Sequence, residues 1–172
     1  MGGVRGGVLG GAMALLLLAG CALWPGGGEP ASTPGPGQPA PDFTLPALDG
    51  TPRRLGDLHG RPVLLNFFAT WCVPCRVELP EFERAAERYR DRGLVVLLVD
   101  VQEEPEAVAA FVRDLGLRSP VVLDRTGEVA ARYRVQGLPS SFFVGRDGLI
   151  RVARLGVMDR TLLERGLARI LD

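Results

Sequence analysis

The chain has 172 residues, 47% of them apolar, and its 20 basic and 20 acidic side chains cancel to a formal net charge of zero. That is enough apolar material for one ordinary domain with a real core. Balanced charge without a basic run argues against nucleic acid or an acidic lipid surface as the main partner.

Residues 8 to 19, VLGGAMALLLLA, form an apolar block behind a short head carrying Arg5. The block has signal-peptide length and is too short to cross a bilayer comfortably. It runs into LAGC, residues 18 to 21, which resembles a bacterial lipobox ending at a lipidated Cys21. A plain cleaved signal is the alternative, and either reading exports the domain to a compartment where disulfides persist. Residues 22 to 41 follow, rich in proline and glycine, and read as a disordered tether. The expected organisation is therefore a leader over 1–21, a linker over 22–41 and a folded domain over 42–172.

Within the domain, DFTL and TPRRL flank Asp49-Gly50 and suggest a hairpin. PVLLNFFA, residues 62 to 69, is apolar without alternation, as a strand buried on both faces would be. Leu79, Phe82, Ala86 and Tyr89 recur at helical spacing up to Gly93 and predict an amphipathic helix. LVVLLVDV, residues 94 to 101, predicts a second buried strand, and residues 105 to 116 a helix with proline at its start and glycine at its end. PVVLD predicts a third strand and GEVAARYRV a short helix. SSFFVG and LIRVARL form a second hairpin around Arg146-Asp147-Gly148, and a last helix is capped by Asp159 or Thr161. Strands alternating with helices, then a late hairpin, give an α/β fold with a mixed sheet.

Cys72 and Cys75 stand as C-x-x-C, far from Cys21. A structural zinc site needs four ligands, and the chain offers no second cysteine pair and only His59 besides. A two-residue loop removes little chain entropy, so a purely structural staple is a poor reason for the pair. Placement between a buried strand and a helix favours reactivity: free N–H groups and the positive end of the helix dipole can stabilise a Cys72 thiolate. Cys75, one turn inside, can then attack a mixed disulfide formed at Cys72.

These residues resemble the thioredoxin superfamily, and within it the TlpA-like thiol-disulfide oxidoreductases that include cytochrome c maturation thioredoxins. The resemblance runs from about Pro41 to the C-terminus and rests on NFFATWCVPCRVELP, with Trp71 before the first cysteine and Pro80 five residues after the second. GLPSSFFVGRDG resembles the family's second signature. It implies a cis Pro139 opposite the cysteines, with Leu138 pairing its backbone to a bound substrate chain. Trp71 and Pro74 join Leu138 as implied substrate contacts. Serines at 140 and 141 stand where the family usually has threonine, and Asn66 stands where ordinary thioredoxins carry a buried aspartate. Glu78, one turn after Cys75, occupies the family's functional acidic position, where a half-buried carboxyl could exchange protons with a cysteine; otherwise it is a solvated helix carboxylate.

The resemblance implies a thioredoxin-like fold with an N-terminal hairpin and a central αβ insertion. It also implies a membrane-tethered reductant that needs no cofactor beyond its thiols, fed by a membrane thiol donor and acting on protein disulfides such as those of apocytochrome c. A disulfide-introducing oxidase is a close relative of this reading. A peroxiredoxin-like peroxidase shares the PDFTLPALDG entrance, but that group places threonine or serine three residues before its reactive cysteine, and Ala69 stands there. Copper chaperones of this fold use C-x-x-x-C and a later histidine, which the chain lacks.

Overall fold

A computed structural model describes residues 1–3 and 34–172. The chain divides into units Met1–Ala31 and Ser32–Asp172, and the elements below all belong to the second. The leader block and Cys21 lie outside the described residues.

Two short strands, β1 (Thr44–Pro46) and β2 (Pro52–Arg54), pair antiparallel as the entrance hairpin. The main sheet has five strands: β3 (Val63–Phe68), β4 (Val95–Val101), β5 (Val121–Asp124), β6 (Ser140–Val144) and β7 (Ile150–Leu155), in the order β5-β4-β3-β6-β7. Helices α1 (Val73–Arg88), α2 (Pro105–Leu115), α3 (Glu128–Arg132) and α4 (Arg160–Leu171) connect and close it. β3, β4 and β5 run parallel, whereas β6 and β7 are antiparallel to their neighbours. The expected mixed sheet and N-terminal hairpin are thus present.

Every residue of β3 is buried, which explains an apolar run interrupted only by Asn66: both faces of this central strand are covered. On one face, Leu64, Phe68, Val96, Leu98 and Leu123 pack beneath Leu79 and Phe82 of α1, Phe111 of α2 and Leu167 of α4. On the other, Leu65, Phe67 and Val99 pack against Phe43, Leu55 and Tyr133. α4 lies close to the sheet because position 166 is glycine; a Cβ there would fall 2.3 Å from Phe143 Cζ.

Two details differ from the sequence reading. In α1 Ala85 is buried beside Ala86, which is half-buried against the same cluster, and a short 3₁₀ segment (Arg90–Arg92) precedes the left-handed Gly93. The folded part also begins before residue 42. Gly37 N–H donates to Ile150 O, Ile150 N–H to Gln38 O, and Ala40 N–H to Gly148 O, while Tyr133 Oη donates to Pro41 O. Proline-rich composition suggested tether, but extended backbone can bond a sheet edge without any apolar side chain.

Candidate active site

β3 ends at Phe68, and the turn through Thr70 and Trp71 brings Cys72 to the N-cap of α1, with its N–H donating to Ala69 O at 3.1 Å. Cys72 is extended (φ −77°, ψ 98°), and its Sγ accepts from Cys75 N–H at 3.3 Å. Pro74 occupies the first turn of α1, where a missing N–H costs nothing, and Pro80 lies inside the helix. Cys72 and Cys75 form a disulfide. Cys72 keeps 4% of its surface exposed and Cys75 none, so of the two residues only Cys72 touches solvent. Trp71 and Val73, flanking Cys72, are 70% and 73% exposed.

The peptide bond Leu138-Pro139 is cis. Pro139 immediately precedes β6, whose Ser140 pairs with Phe67 near the end of β3. Antiparallel pairing thereby returns Pro139 to the sheet end from which the cysteine turn departs. Leu138 packs against both core clusters.

Glu78 is buried, with 1% of its surface exposed, so the solvated-carboxylate reading does not hold. Its Oε1 accepts from Asn66 Nδ2 at 3.1 Å and its Oε2 from Met158 N–H at 3.0 Å. Asn66 Nδ2 also donates to Ser141 Oγ at 2.9 Å, across the β3–β6 register that pairs these two residues. Burial pushes the Glu78 carboxyl up to about 7, against the lowering effect of its two hydrogen bonds. A carboxyl poised there can hold or release a proton at neutral pH.

The sequence reading did not assign Asn66, Ser141 and Met158 to the site. For Asn66 the signal was available: an amide inside a fully buried strand needs polar company. The Met158 contribution is a backbone N–H, which no side-chain pattern reveals.

Residues 36–153 match the model of the AhpC/TSA family. Over 134 residues the chain is 37% identical to the thiol-disulfide oxidoreductase ResA of Geobacillus kaustophilus, covering 78% of this chain and 77% of that protein. The chain is a TlpA/ResA-like member of the thioredoxin superfamily. Among solved structures, the fold matches a Chlorobium tepidum protein assigned as the thiol:disulfide interchange protein DsbE, with TM-score 0.75, 29% identity, and coverage of 80% of this chain and 98% of that one. A secreted Mycobacterium tuberculosis disulfide oxidoreductase matches with TM-score 0.66 and 26% identity over 73% of this chain and 94% of its own. This TlpA/ResA-like protein is thus a thiol-disulfide oxidoreductase, and Cys72 and Cys75 are joined as a disulfide in its structure.

Proposed function

We propose that the domain is exported, tethered to a membrane through a lipid on Cys21, and reduces protein disulfides with the Cys72/Cys75 dithiol. The observation that carries this reading is the pairing of Cys72 at the N-cap of α1, which keeps a small exposed surface, with a fully buried Cys75 one turn on.

In the proposed cycle, the Cys72 thiolate attacks one sulfur of a substrate disulfide and the other substrate sulfur leaves as a thiolate. Cys75 then gives up its proton, with Glu78 as acceptor, and attacks Cys72 Sγ; the second substrate thiolate leaves and the domain holds its disulfide. Two electrons pass to the substrate, and a membrane thiol donor restores the dithiol by the reverse exchange. Trp71, Pro74 and Leu138 line the approach to Cys72, and the Pro139 turn frames it. Apocytochrome c is the substrate that the family resemblance favours. The secreted M. tuberculosis relative and the apolar leader support export.

Capture tests both the substrate class and the tether. Full-length Cys75→Ser expressed in its own host should retain a protein partner as a mixed disulfide in the membrane fraction, identifiable by mass spectrometry. Recovery of only small thiols, or a wholly soluble Cys21→Ser-insensitive protein, would contradict the proposal.

The AhpC/TSA match keeps a peroxidase reading in view. Ala69 supplies no hydroxyl three residues before Cys72. Turnover of hydrogen peroxide by the reduced protein should be negligible beside its turnover of protein disulfides.

A further inference from the structure

A second buried acid stands on the same face of the sheet as Glu78. Asp100, in register beside Phe68 of β3 and Leu123 of β5, alternates with Val96 and Leu98 and so points into the layer that holds the cysteines. Its surface is fully buried, and neither carboxyl oxygen accepts a hydrogen bond of normal geometry. An ionised carboxylate without donors is expensive to bury, whereas a protonated one needs only an acceptor.

The acceptor is Glu103. The turn after β4 passes through Gln102, whose left-handed backbone (φ 62°) is uncommon for a residue with a side chain. That turn brings the Glu103 side chain back to Thr70, two residues past Phe68, the register partner of Asp100. Glu103 also accepts from Thr70 N–H at 2.5 Å through Oε2 and from Thr70 Oγ1 at 2.6 Å through Oε1. Each carboxylate oxygen has a second lone pair, so a third donor can be accommodated. Thr70 is two residues before Cys72, in the turn that sets the N-cap.

We propose that Asp100 carries a proton donated to Glu103, and that Glu103, bridging Asp100 and Thr70, is a positioning residue for the turn that presents Cys72. When Asp100 releases its proton to solvent, two carboxylates face each other and the bridge fails. The charged groups facing Asp100 all oppose its ionisation. Burial raises the carboxyl most, Glu103 adds to it and Asp124 of β5 adds less, leaving it at about 8. Asp124 itself is occupied by Val129 N–H and Ala130 N–H at the start of α3, and Arg76 of α1 rests its guanidinium over the Phe111 ring, 4.9 Å from the centroid.

The positioning claim rests on Cys72 as the nucleophile of the proposed cycle, but its test reads Thr70 and Asp100 directly and so fails separately. In the oxidised protein, carbon-13 NMR of the Asp100 carboxyl should show titration near pH 8. In Glu103→Gln the midpoint should fall by about one unit or more, because the like charge is gone. The Thr70 amide protection factor, corrected for intrinsic exchange, should drop about tenfold between pH 7 and pH 9 in the wild type, a loss of order one lost hydrogen bond. Asp100→Asn donates to Glu103 at any pH and should keep that protection. Asp100 titrating in the ordinary carboxylate range, or Thr70 protection with the same pH dependence in wild type and Asp100→Asn, would overturn the proposal.

Discussion

Asn66 shows how a single amide can govern a buried acid. It donates to both Glu78 and Ser141 from the middle of a strand with no solvent access. Asn66→Ala should destabilise the oxidised protein by about 1–3 kcal/mol in urea unfolding, since Glu78 Oε1 loses a donor where water cannot replace it. It should also move the Glu78 titration further upward, because one of the two effects opposing burial is removed. Glu78→Gln keeps the shape and removes the titration. Resolution of a mixed disulfide by Cys75 should then slow by about 10²-fold and lose its dependence on pH around 7, as measured by rapid-mixing kinetics. An unchanged pH profile would remove Glu78 from the proton path. At this scale the sequence was legible where side chains follow a motif, as with Cys72, Cys75 and Pro139. It was less so at Glu78, whose partners are the Met158 backbone N–H and an amide on another element, and at Asp100, because the left-handed turn at Gln102 that carries Glu103 is not marked by a glycine.

Elements were read more fully than residues, for a physical reason. A strand covered on both faces is apolar with little alternation, so β3 and β4, interrupted only by Asn66 and Asp100, stand out from the chain without any pairing information. Helix ends were equally visible where one residue does the capping. Asp159 Oδ1 accepts from Leu162 N–H at 2.8 Å at the start of α4. Asp159→Ala should cost about 1 kcal/mol of stability in urea unfolding. Close approach is less visible than capping. Gly166 looks like an ordinary weak point in a helix, yet it is where Phe143 seats. Gly166→Ala should therefore destabilise by about 1–3 kcal/mol, against the stabilisation expected from helix propensity alone. Residues 37 to 40 were misplaced by composition, since the bonds that hold them to the β7 edge come from the backbone.

For the whole molecule, two raised acids set how stability depends on pH. Glu78 and Asp100 have folded-state carboxyls at about 7 and about 8, above their ordinary values of 4.5 and 3.8. Between those limits the folded chain holds protons that the unfolded chain has released, so stability falls as pH rises through the window. Asp42, Asp49, Glu81 and Asp147 are lowered by arginine or hydroxyl partners and act in the opposite direction, losing their contribution below the usual carboxylate range. They are solvent-facing and contribute little. The oxidised protein should therefore be more stable at pH 5 than at pH 9 by roughly 3 kcal/mol or more in denaturant titrations. Equal stability at the two values would mean that neither acid is held protonated.

The division of labour between the two sulfurs is the centre of the account, and one comparison tests it most directly. Cys75→Ser and Cys72→Ser, each fully reduced, are mixed with the same disulfide-bonded peptide at pH 7, and mixed-disulfide formation is followed by mass spectrometry. Cys75→Ser should form the adduct at Cys72 quickly and hold it, while Cys72→Ser, left with a sulfur that has no exposed surface, should form it at least tenfold more slowly. Equal rates from the two variants would contradict the assignment of Cys72 as nucleophile and Cys75 as resolving thiol.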